Sequence, residues 1–402
     1  MVAVDPTIPL LKDSFLGQPP VKNWCAHNNQ EHLALAKERQ PTVRDVAKVA
    51  GVSPATVTNV LHGRTQRISP QTRDRVMQAI RDIRYRPKPH SPTTGEVANR
   101  TLGFILEESA LSPLVKNHYS GEVFGGVLAT AASHGWVTSV FVETYWSDIG
   151  HAIRSRYDGR ADAVIFIAPS IDNANHVSLV ERGVPTVVVG SRCDDPGVST
   201  VDITNFESAV ELTEHLIGLG HRRIAYLAPH PRQYSVLERG AGFRAATETH
   251  GLDRSQCPIL AQRHPIVESP FWASANLPVK NDLQFVDGDI ETVLQQLYGA
   301  DGIRPTAIVC WNHDVASKAL SALGEMALCV PDDVSVAAFD DPVGLGEASP
   351  PVTVTRQPLA SIGKRAAMLA IERVLDPTVG DEHVRFSGEL VVRSSTAPPK
   401  RA

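Results

Sequence analysis

From residue 101 onward, short β-branched or apolar runs alternate with segments of helical periodicity through most of the chain. The apolar runs are LGFIL, VTSVFV, ADAVIFIA, PTVVVG, RRIAYLA, TAIVCW and DVSVAAF. Between them the pattern predicts helices near residues 119–134, 205–219, 239–249 and 314–327. Strands that alternate with helices form parallel sheets covered by helices on both faces, so this region is predicted to be an α/β domain.

The length of this α/β region fits two lobes better than one, because a single core of that size is uncommon. We predict that the core spans residues 101–402. Lobe one is assigned to residues 101–222 and 342–357, and lobe two to residues 223–341 and 358–396. In such folds ligands bind at the carboxyl ends of the strands, so a cleft between the lobes is the expected site.

Residues 41–88 have a different pattern of apolar residues, which predicts a small domain of three helices. Thr42 can cap the first helix, Gly51 permits a tight turn, and Ser53 followed by Pro54 opens the second helix. Residues 1–40 are rich in proline and weakly periodic, and we expect a disordered extension there. Residues 89–100 are again proline-rich and predict an extended linker.

The net charge of −5 is divided unevenly along the 402 residues. Residues 41–90 hold ten Lys or Arg and three Asp, a net charge of +7, and the rest of the chain carries −12. A small basic unit joined to an acidic body indicates a polyanionic partner for the basic unit, although a solvated basic face has the same composition.

Composition also excludes several classes of protein. No apolar run approaches the length of a membrane span, and charged residues and prolines interrupt the N-terminus where a signal peptide would have its apolar core. Five widely spaced cysteines form no CxxC pair, and the fifteen histidines have no metal-ligand spacing. We therefore expect a cytoplasmic protein that binds no membrane, with reduced thiols, no metal and no cofactor.

The first two predicted helices and the turn at Gly51 form a helix-turn-helix, in which the second helix enters the DNA major groove. Small side chains on its exposed face permit close approach; there Asn59 can pair with adenine and Ala55 can contact a thymine methyl group. Arginines nearby are better suited to phosphate contacts. The expected DNA contacts are Thr42, Arg44, Ser53, Pro54, Ala55, Thr56, Thr58, Asn59, Arg64 and Arg67. A three-helix module that binds protein is the structural alternative.

The run PTVRDVAKVAGVSPATVTNVLHG resembles the N-terminal headpiece of lactose-repressor-type (LacI/GalR) transcription regulators. The resemblance continues in family order through GVPTVVVGSR, HLIGLGHRRIAYLA, ERGAGFRAA, VPDDVSVAAFDD and PVTVTRQPL to VVRSSTAPP. It implies a homodimer that binds a pseudo-palindromic operator in double-stranded DNA. It also implies a core resembling periplasmic sugar-binding proteins, with a small-molecule effector between its lobes.

The same resemblance carries effector contacts onto matching positions of this chain. Arg239 in ERGAGF corresponds to the arginine that grips effector hydroxyls or a carboxylate, and Asp340 in FDD to the acceptor of effector hydrogen bonds. Each of these residues could instead be a structural cap, turn or salt bridge. The expected effector-binding residues are Tyr119, Ser120, Ser191, Arg192, Arg239, Asn312, Asp340 and Gln357.

Two positions depart from the family pattern. The linker of the family carries Ala-Arg-x-x-Leu, which folds into a hinge helix and wedges leucine into the minor groove, whereas this chain has Ser91, Pro92 and Thr94. His313 stands where the family usually has Asp, which could change effector choice, add pH sensitivity or serve packing alone.

The sequence therefore predicts a DNA-binding repressor controlled by an effector. Sugar is the leading effector class, followed by nucleoside or sugar phosphate. The alternative is a small-molecule binding protein whose degenerate headpiece recognises no operator. An enzyme is disfavoured because no GxSxG, GxxxxGK[ST] or HExxH motif is present, and we expect no catalytic residues.

Two substitutions separate base recognition from phosphate contact. Asn59→Ala should relax base preference at one position in each half-site, because the adenine pairing is lost. Arg67→Ala should weaken binding to all sequences alike and reduce the salt dependence, because one phosphate contact is lost. Affinities for a set of single-base operator variants at several salt concentrations measure both effects. An unchanged base preference in Asn59→Ala would show that the recognition helix is misassigned.

Overall fold

The computed structural model describes residues 41–61, 68–83, 99–107, 118–143, 161–172, 175–180, 183–299, 302–342 and 348–400. The chain divides into two compact units between Lys88 and Pro89. The predictions made for residues 1–40, for Arg64 and Arg67, and for residues 89–98 of the linker lie outside the described residues. Within the described residues, no helix has both the length and the apolar character that crossing a membrane requires.

The first unit contains three helices: α1 (Val43–Ala50), α2 (Pro54–Leu61) and α3 (Pro70–Asp82). Their starts follow the predicted capping chemistry. The Thr42 N–H donates to the Asp45 carboxylate (2.7 Å), and the Thr56 N–H donates to the Ser53 hydroxyl (3.1 Å). Gly51 ends α1 with φ of +63°, a left-handed conformation that glycine adopts without steric cost.

A small apolar core joins the three helices of the first unit. Val46, Val57 and Val76, one from each helix, are fully buried at its centre. Alanines at buried positions of α1 and α3 allow the helices to pack closely. Helix α2 therefore buries one face in this core and exposes Pro54, Ala55 and Asn59 on the other.

The second unit contains two sheets, as the α/β pattern predicted. One sheet has the order β12-β5-β4-β3-β1-β2, all parallel. Its strands are β1 (Thr101–Glu107), β2 (Val137–Glu143), β3 (Ala163–Ile167), β4 (Thr186–Val189), β5 (Val198–Ile203) and β12 (His383–Phe386).

The other sheet has the order β13-β11-β10-β9-β6-β7-β8 and is parallel except at β13. Its strands are β6 (Ile224–Ala228), β7 (Ile259–Gln262), β8 (Leu283–Val286), β9 (Ala307–Cys310), β10 (Ser335–Phe339), β11 (Thr353–Arg356) and β13 (Glu389–Val391). The helices of this unit are α4 (His118–Ser133), α5 (Asn175–Val180), α6 (Asn205–Gly218), α7 (Tyr234–Thr249), α8 (Pro270–Ser274), α9 (Ile290–Tyr298), α10 (His313–Glu325) and α11 (Leu359–Leu375).

Each sheet with its helices forms one lobe, and the lobe boundaries differ from the prediction. Helix α6 was assigned to lobe one, but its buried Leu212 and Leu216 pack with Tyr226 and Phe243 of lobe two. Strand β11, also assigned to lobe one, pairs with β10 in the second sheet. Helix α11, assigned to lobe two, packs on the first sheet.

The physical reason for this correction is where the chain crosses between the lobes. The chain crosses from one lobe to the other at three points. These lie directly after β5, between β11 and α11, and between β12 and β13. Lobe one comprises the described residues within 99–203 and 359–386, and lobe two comprises the described residues within 205–356 and 389–397.

Helix α4 lies against α11 through a contact that only glycine permits. A Cβ at Gly126 would overlap the carbonyl oxygen of Ala360, and a Cβ at Gly363 would overlap that of Val123. The two backbones therefore approach each other directly in the core of lobe one.

The adjacent residue Gly125 provides a matched control, since a Cβ there would meet nothing within 4 Å. We expect Gly126→Ala to lower the free energy of unfolding by about 1–3 kcal/mol, because overpacking forces the helices apart. Gly125→Ala should leave it unchanged or raise it by up to about 1 kcal/mol, through helix propensity. Denaturant unfolding of both variants measures the difference, and equal effects would contradict the close approach.

Candidate functional site

A cavity of about 330 Å³ lies between the two lobes of the core. Lobe one lines it with the first turn of α4 and the carboxyl ends of β3 and β5. Lobe two lines it with the carboxyl ends of β6, β7, β9 and β10 and with the first turns of α7 and α10. Parallel strands thus direct their ends into this space from both sides, as ligand sites in such folds require.

Five of the eight predicted effector residues line this cavity: Tyr119, Ser120, Arg239, Asn312 and Asp340. The cavity has further polar and aromatic lining residues that the sequence did not predict. Those are Asp202, His230, Arg232, Gln233, Ser235, Gln262, Trp311, Asp314 and Lys318. Several of them directly follow a strand, and that position was the available signal.

Arg239 on α7 is the centre of the site. Its side chain is buried, with Nε donating to Asn205 Oδ1 (2.8 Å) and Nη1 donating to the Trp311 carbonyl oxygen (2.6 Å). The guanidinium lies 4.1 Å from the centre of the Phe339 ring. Among the described residues no carboxylate lies within ion-pair distance of it, and Nη2 makes no hydrogen bond. The remaining donors are therefore available to a ligand.

Asn205 joins Arg239 to the other lobe. Its Nδ2 donates to Asp202 (3.0 Å) at the end of β5 and to Glu238 (3.3 Å) on α7. Burial raises the pKa of Asp202 to about 7, although the Ile203 N–H and the field of Arg239 favour its carboxylate form. Burial also raises the pKa of Glu238. Asp202 can therefore gain a proton near neutral pH in this site.

Asp340 follows β10 in a left-handed conformation with φ of +71°. It is buried and accepts a hydrogen bond from Nε2 of Gln357. Gln357 does not itself line the cavity, so the structure places it behind Asp340. The strained backbone and the buried amide together fix the direction of the Asp340 carboxylate.

His313 lies beside this carboxylate. Its Nδ1 is 3.7 Å from Asp340 Oδ2, and its Nε2 is 3.2 Å from Asp314 Oδ1. Burial lowers the pKa of His313, but the two carboxylates outweigh burial and bring it to about 9. The imidazole is therefore a cation at neutral pH.

Tyr119 and Asn312 approach the cavity from helix starts. A Cβ at Gly190, which has φ of +71°, would overlap the Tyr119 hydroxyl, so glycine makes room for the phenol. Asn312 caps α10, where its Oδ1 accepts a hydrogen bond from the Val315 N–H (3.0 Å). Its Nδ2 has no partner among the described residues and remains a donor for the cavity.

Ser191 and Arg192 require a correction, because they do not face this cleft. The chain turns at Gly190, and both residues line a second cavity of about 190 Å³. Arg192 is half-exposed and pairs there with Asp194 (3.0 Å). The position of a residue after a strand end did not predict which side of the turn it would occupy.

In the first unit, the outer face of α2 carries the predicted DNA contacts. Pro54, Ala55 and Asn59 are exposed, and Thr56 and Thr58 are half-buried. The Thr42 hydroxyl donates to Asp45 (2.7 Å), so this residue also serves the helix start. Arg44 is exposed on α1. Most side chains of this face are small, which permits the close approach that major-groove binding requires.

Family profiles match almost the whole described chain. Residues 42–88 match "Bacterial regulatory proteins, lacI family". Residues 99–266 match "Periplasmic binding proteins and sugar binding domain of LacI family", and residues 213–396 match "Periplasmic binding protein-like domain".

Curated relatives match along nearly their full length. The HTH-type transcriptional repressor PurR of Vibrio parahaemolyticus serotype O3:K6 is 28% identical over 363 residues, which are 88% of this chain and 98% of that protein. The HTH-type transcriptional regulator CelR of Thermobifida fusca is 28% identical over 366 residues, 90% of this chain and 100% of that protein. Both are named as transcriptional regulators.

Solved structures share the fold. The transcriptional regulator CelR–cellobiose complex gives a TM-score of 0.60 at 24% identity and covers 89% of this chain and 100% of that chain. The lac repressor dimer bound to operator and the anti-inducer ONPF gives 0.62 at 21% identity with the same coverage. A LacI family regulator from Enterococcus faecium with bound ribose gives 0.60 at 20% identity and covers 74% of this chain and 99% of that chain.

The raised pKa of His313 predicts a pH-dependent contribution to stability. This contribution is fully present below pH 6.5, where His313 is protonated in both states, and it is lost as the pH rises through about 9. The free energy of unfolding of the wild type minus that of His313→Gln should therefore shrink between pH 6.5 and 9. Denaturant unfolding followed by tryptophan fluorescence measures this difference. A constant difference over that range would contradict the ion pairing.

Proposed function

Because this chain belongs to the LacI family of bacterial regulatory proteins, we propose that it is a sequence-specific repressor whose DNA affinity is set by a sugar bound between the lobes of its core. The observation that carries the proposal is the cleft itself. It brings a buried guanidinium with free donors together with carboxylates, amides and an indole from two lobes.

The chemistry of the cleft favours a polyhydroxylated ligand. Asp340 and Asp202 offer acceptors to sugar hydroxyls, while Arg239 and the Nδ2 of Asn312 offer donors. Trp311 adds an apolar surface against which a sugar ring can pack. A cavity of this size is typical of small-molecule sites, and most of its lining side chains are polar, as a hydroxyl-rich ligand requires.

The charged side chains of the cleft would orient the ligand and also strengthen its binding. The rigid fork of Arg239 can donate to two adjacent oxygens at once, which a lysine cannot do. The nearby His313 cation partly neutralises Asp340, so a neutral sugar suits this wall better than a cationic ligand. The CelR complex with cellobiose, reported above, is consistent with this class of effector.

For DNA recognition we propose a homodimer that presents two α2 helices to one pseudo-palindromic operator. Half-sites read this way lie about one helical turn apart, roughly 34–36 Å. Asn59 would read adenine and Ala55 a thymine methyl group, while Arg44 would contact phosphate. The lac repressor dimer bound to operator shows this fold in such an assembly, and it supports the proposal by analogy.

Effector control would follow from the two-lobe construction. A ligand that contacts both lobes favours one interlobe angle, and that angle sets the spacing of the headpieces in the dimer. A coupling free energy of about 1–3 kcal/mol between effector and DNA is typical of such regulators. No step of this mechanism requires bond making or breaking by the protein, which agrees with relatives named as regulators.

A titration with mono- and disaccharides tests the effector class. We expect one sugar to bind the wild type with saturable heat in calorimetry, and Arg239→Lys to weaken its affinity by about 10- to 100-fold, because charge-assisted hydrogen bonds of the fork are lost. Arg192→Lys is the matched control, since Arg192 lines the second cavity, and it should change affinity by less than about twofold. Equal loss in both variants would contradict the proposed site, and binding of a nucleoside but no sugar would contradict the ligand class.

A further inference from the structure

The second cavity of the core contains three side chains of metal-ligating type. His176 on α5 and Cys193 are buried, and Asp195 is half-exposed. His176 Nε2 lies 2.7 Å from Asp195 Oδ2, and Cys193 Sγ lies 3.4 Å from each of those two atoms. Throughout the part of the chain that the structure describes, this is the only group of three His, Cys, Asp or Glu side chains arranged to hold a metal ion.

We propose that His176, Cys193 and Asp195 bind a divalent transition-metal ion, with zinc the best-fitting ion, at a site distinct from the effector cleft. This replaces the expectation from sequence that the protein binds no metal. His176 and Cys193 lie 17 positions apart, a spacing that matches no short metal-binding motif, so the cluster exists only in the folded chain.

The distances fit tetrahedral coordination. Ligand atoms at usual zinc bond lengths lie about 3.3–3.6 Å apart. The two distances from Cys193 Sγ agree with that range. The distance between His176 and Asp195 is shorter because these two side chains share a hydrogen bond in the metal-free protein. Metal binding would replace this hydrogen bond and increase the distance between the two atoms by about 0.6 Å.

The arrangement differs from a nucleophile with its base. In a catalytic triad the histidine uses one ring nitrogen for the nucleophile and the other for the carboxylate. Here the same Nε2 lies closest to both Cys193 and Asp195, so three ligand atoms converge on one point. Burial also raises the pKa of Cys193 to about 11, which leaves a protonated thiol rather than an activated thiolate.

The ligand set selects the class of ion. A thiolate with an imidazole and one carboxylate suits zinc and its neighbours, whereas magnesium and calcium prefer all-oxygen sites. On binding, the thiol proton leaves for solvent and the thiolate takes its place as ligand, so affinity should rise with pH. Three protein ligands leave a fourth position for water from the adjoining cavity.

The site lies where it can affect the lobes. Tyr234, Phe271 and Leu277 of lobe two line the same cavity as the three ligands, which come from lobe one. No residue lines both this cavity and the effector cleft, yet the segments around residues 168–169, 190–191 and 233–235 pass from one cavity to the other. A bound ion would therefore stiffen a segment that borders the effector.

Cobalt(II) titration of the full chain, treated first with chelator, tests the proposal. We expect one cobalt per chain with a thiolate-to-cobalt charge-transfer band, which zinc then abolishes by displacement. Cys193→Ser should abolish the band, and Asp195→Asn should weaken affinity by at least about 10- to 100-fold, the cost of losing even an outer-shell partner.

Cys329→Ser is the matched control, because Cys329 is exposed and lies outside the cluster. It should retain the band and the affinity of the wild type. The proposal is overturned if no charge-transfer band appears in the folded wild type, or if Cys193→Ser and Asp195→Asn bind cobalt as tightly as Cys329→Ser.

Discussion

The buried guanidinium of Arg239 lies at the centre of the cleft between the lobes. The Arg239 guanidinium is held by Asn205, the Trp311 carbonyl and the face of Phe339, with no carboxylate at ion-pair distance among the described residues. A charge removed from water is costly unless its donors are used, so free donors facing a cavity indicate a ligand. Asn205 also bonds Asp202 of lobe one. Arg239 is therefore also linked through Asn205 to the other lobe.

Many strands and helices could be predicted because short stretches of sequence determine them. Buried parallel strands such as Thr186–Val189 form unbroken β-branched runs, and helix starts carry capping residues such as Ser53 and Thr42. The division into lobes could not be predicted, because a strand or helix pattern does not specify which sheet the element joins. Helix α6 is amphipathic in either lobe, and only the crossing after β5 decides that it packs with α7.

The site residues also divide into those that local sequence motifs predict and those that only the tertiary fold brings together. Arg239, Asn312 and Asp340 were found through their motifs and line one cavity, whereas Ser191 and Arg192 were misplaced because the turn at Gly190 is a tertiary feature. Asp202 and Trp311 belong to the cleft but end strands whose residues otherwise look structural. The His176, Cys193 and Asp195 cluster has no sequence signature, since the fold alone brings distant residues to one point.

We propose that this chain recognises a specific DNA sequence. The most direct measurement is selection of the purified full chain on random duplex DNA at near-physiological salt, with sequencing after several rounds. We expect enrichment of a pseudo-palindrome with two half-sites, one for each α2 helix of a dimer. Salt-sensitive binding without any enriched sequence, both with and without the sugar found in calorimetry, would contradict it and leave a small-molecule binding protein.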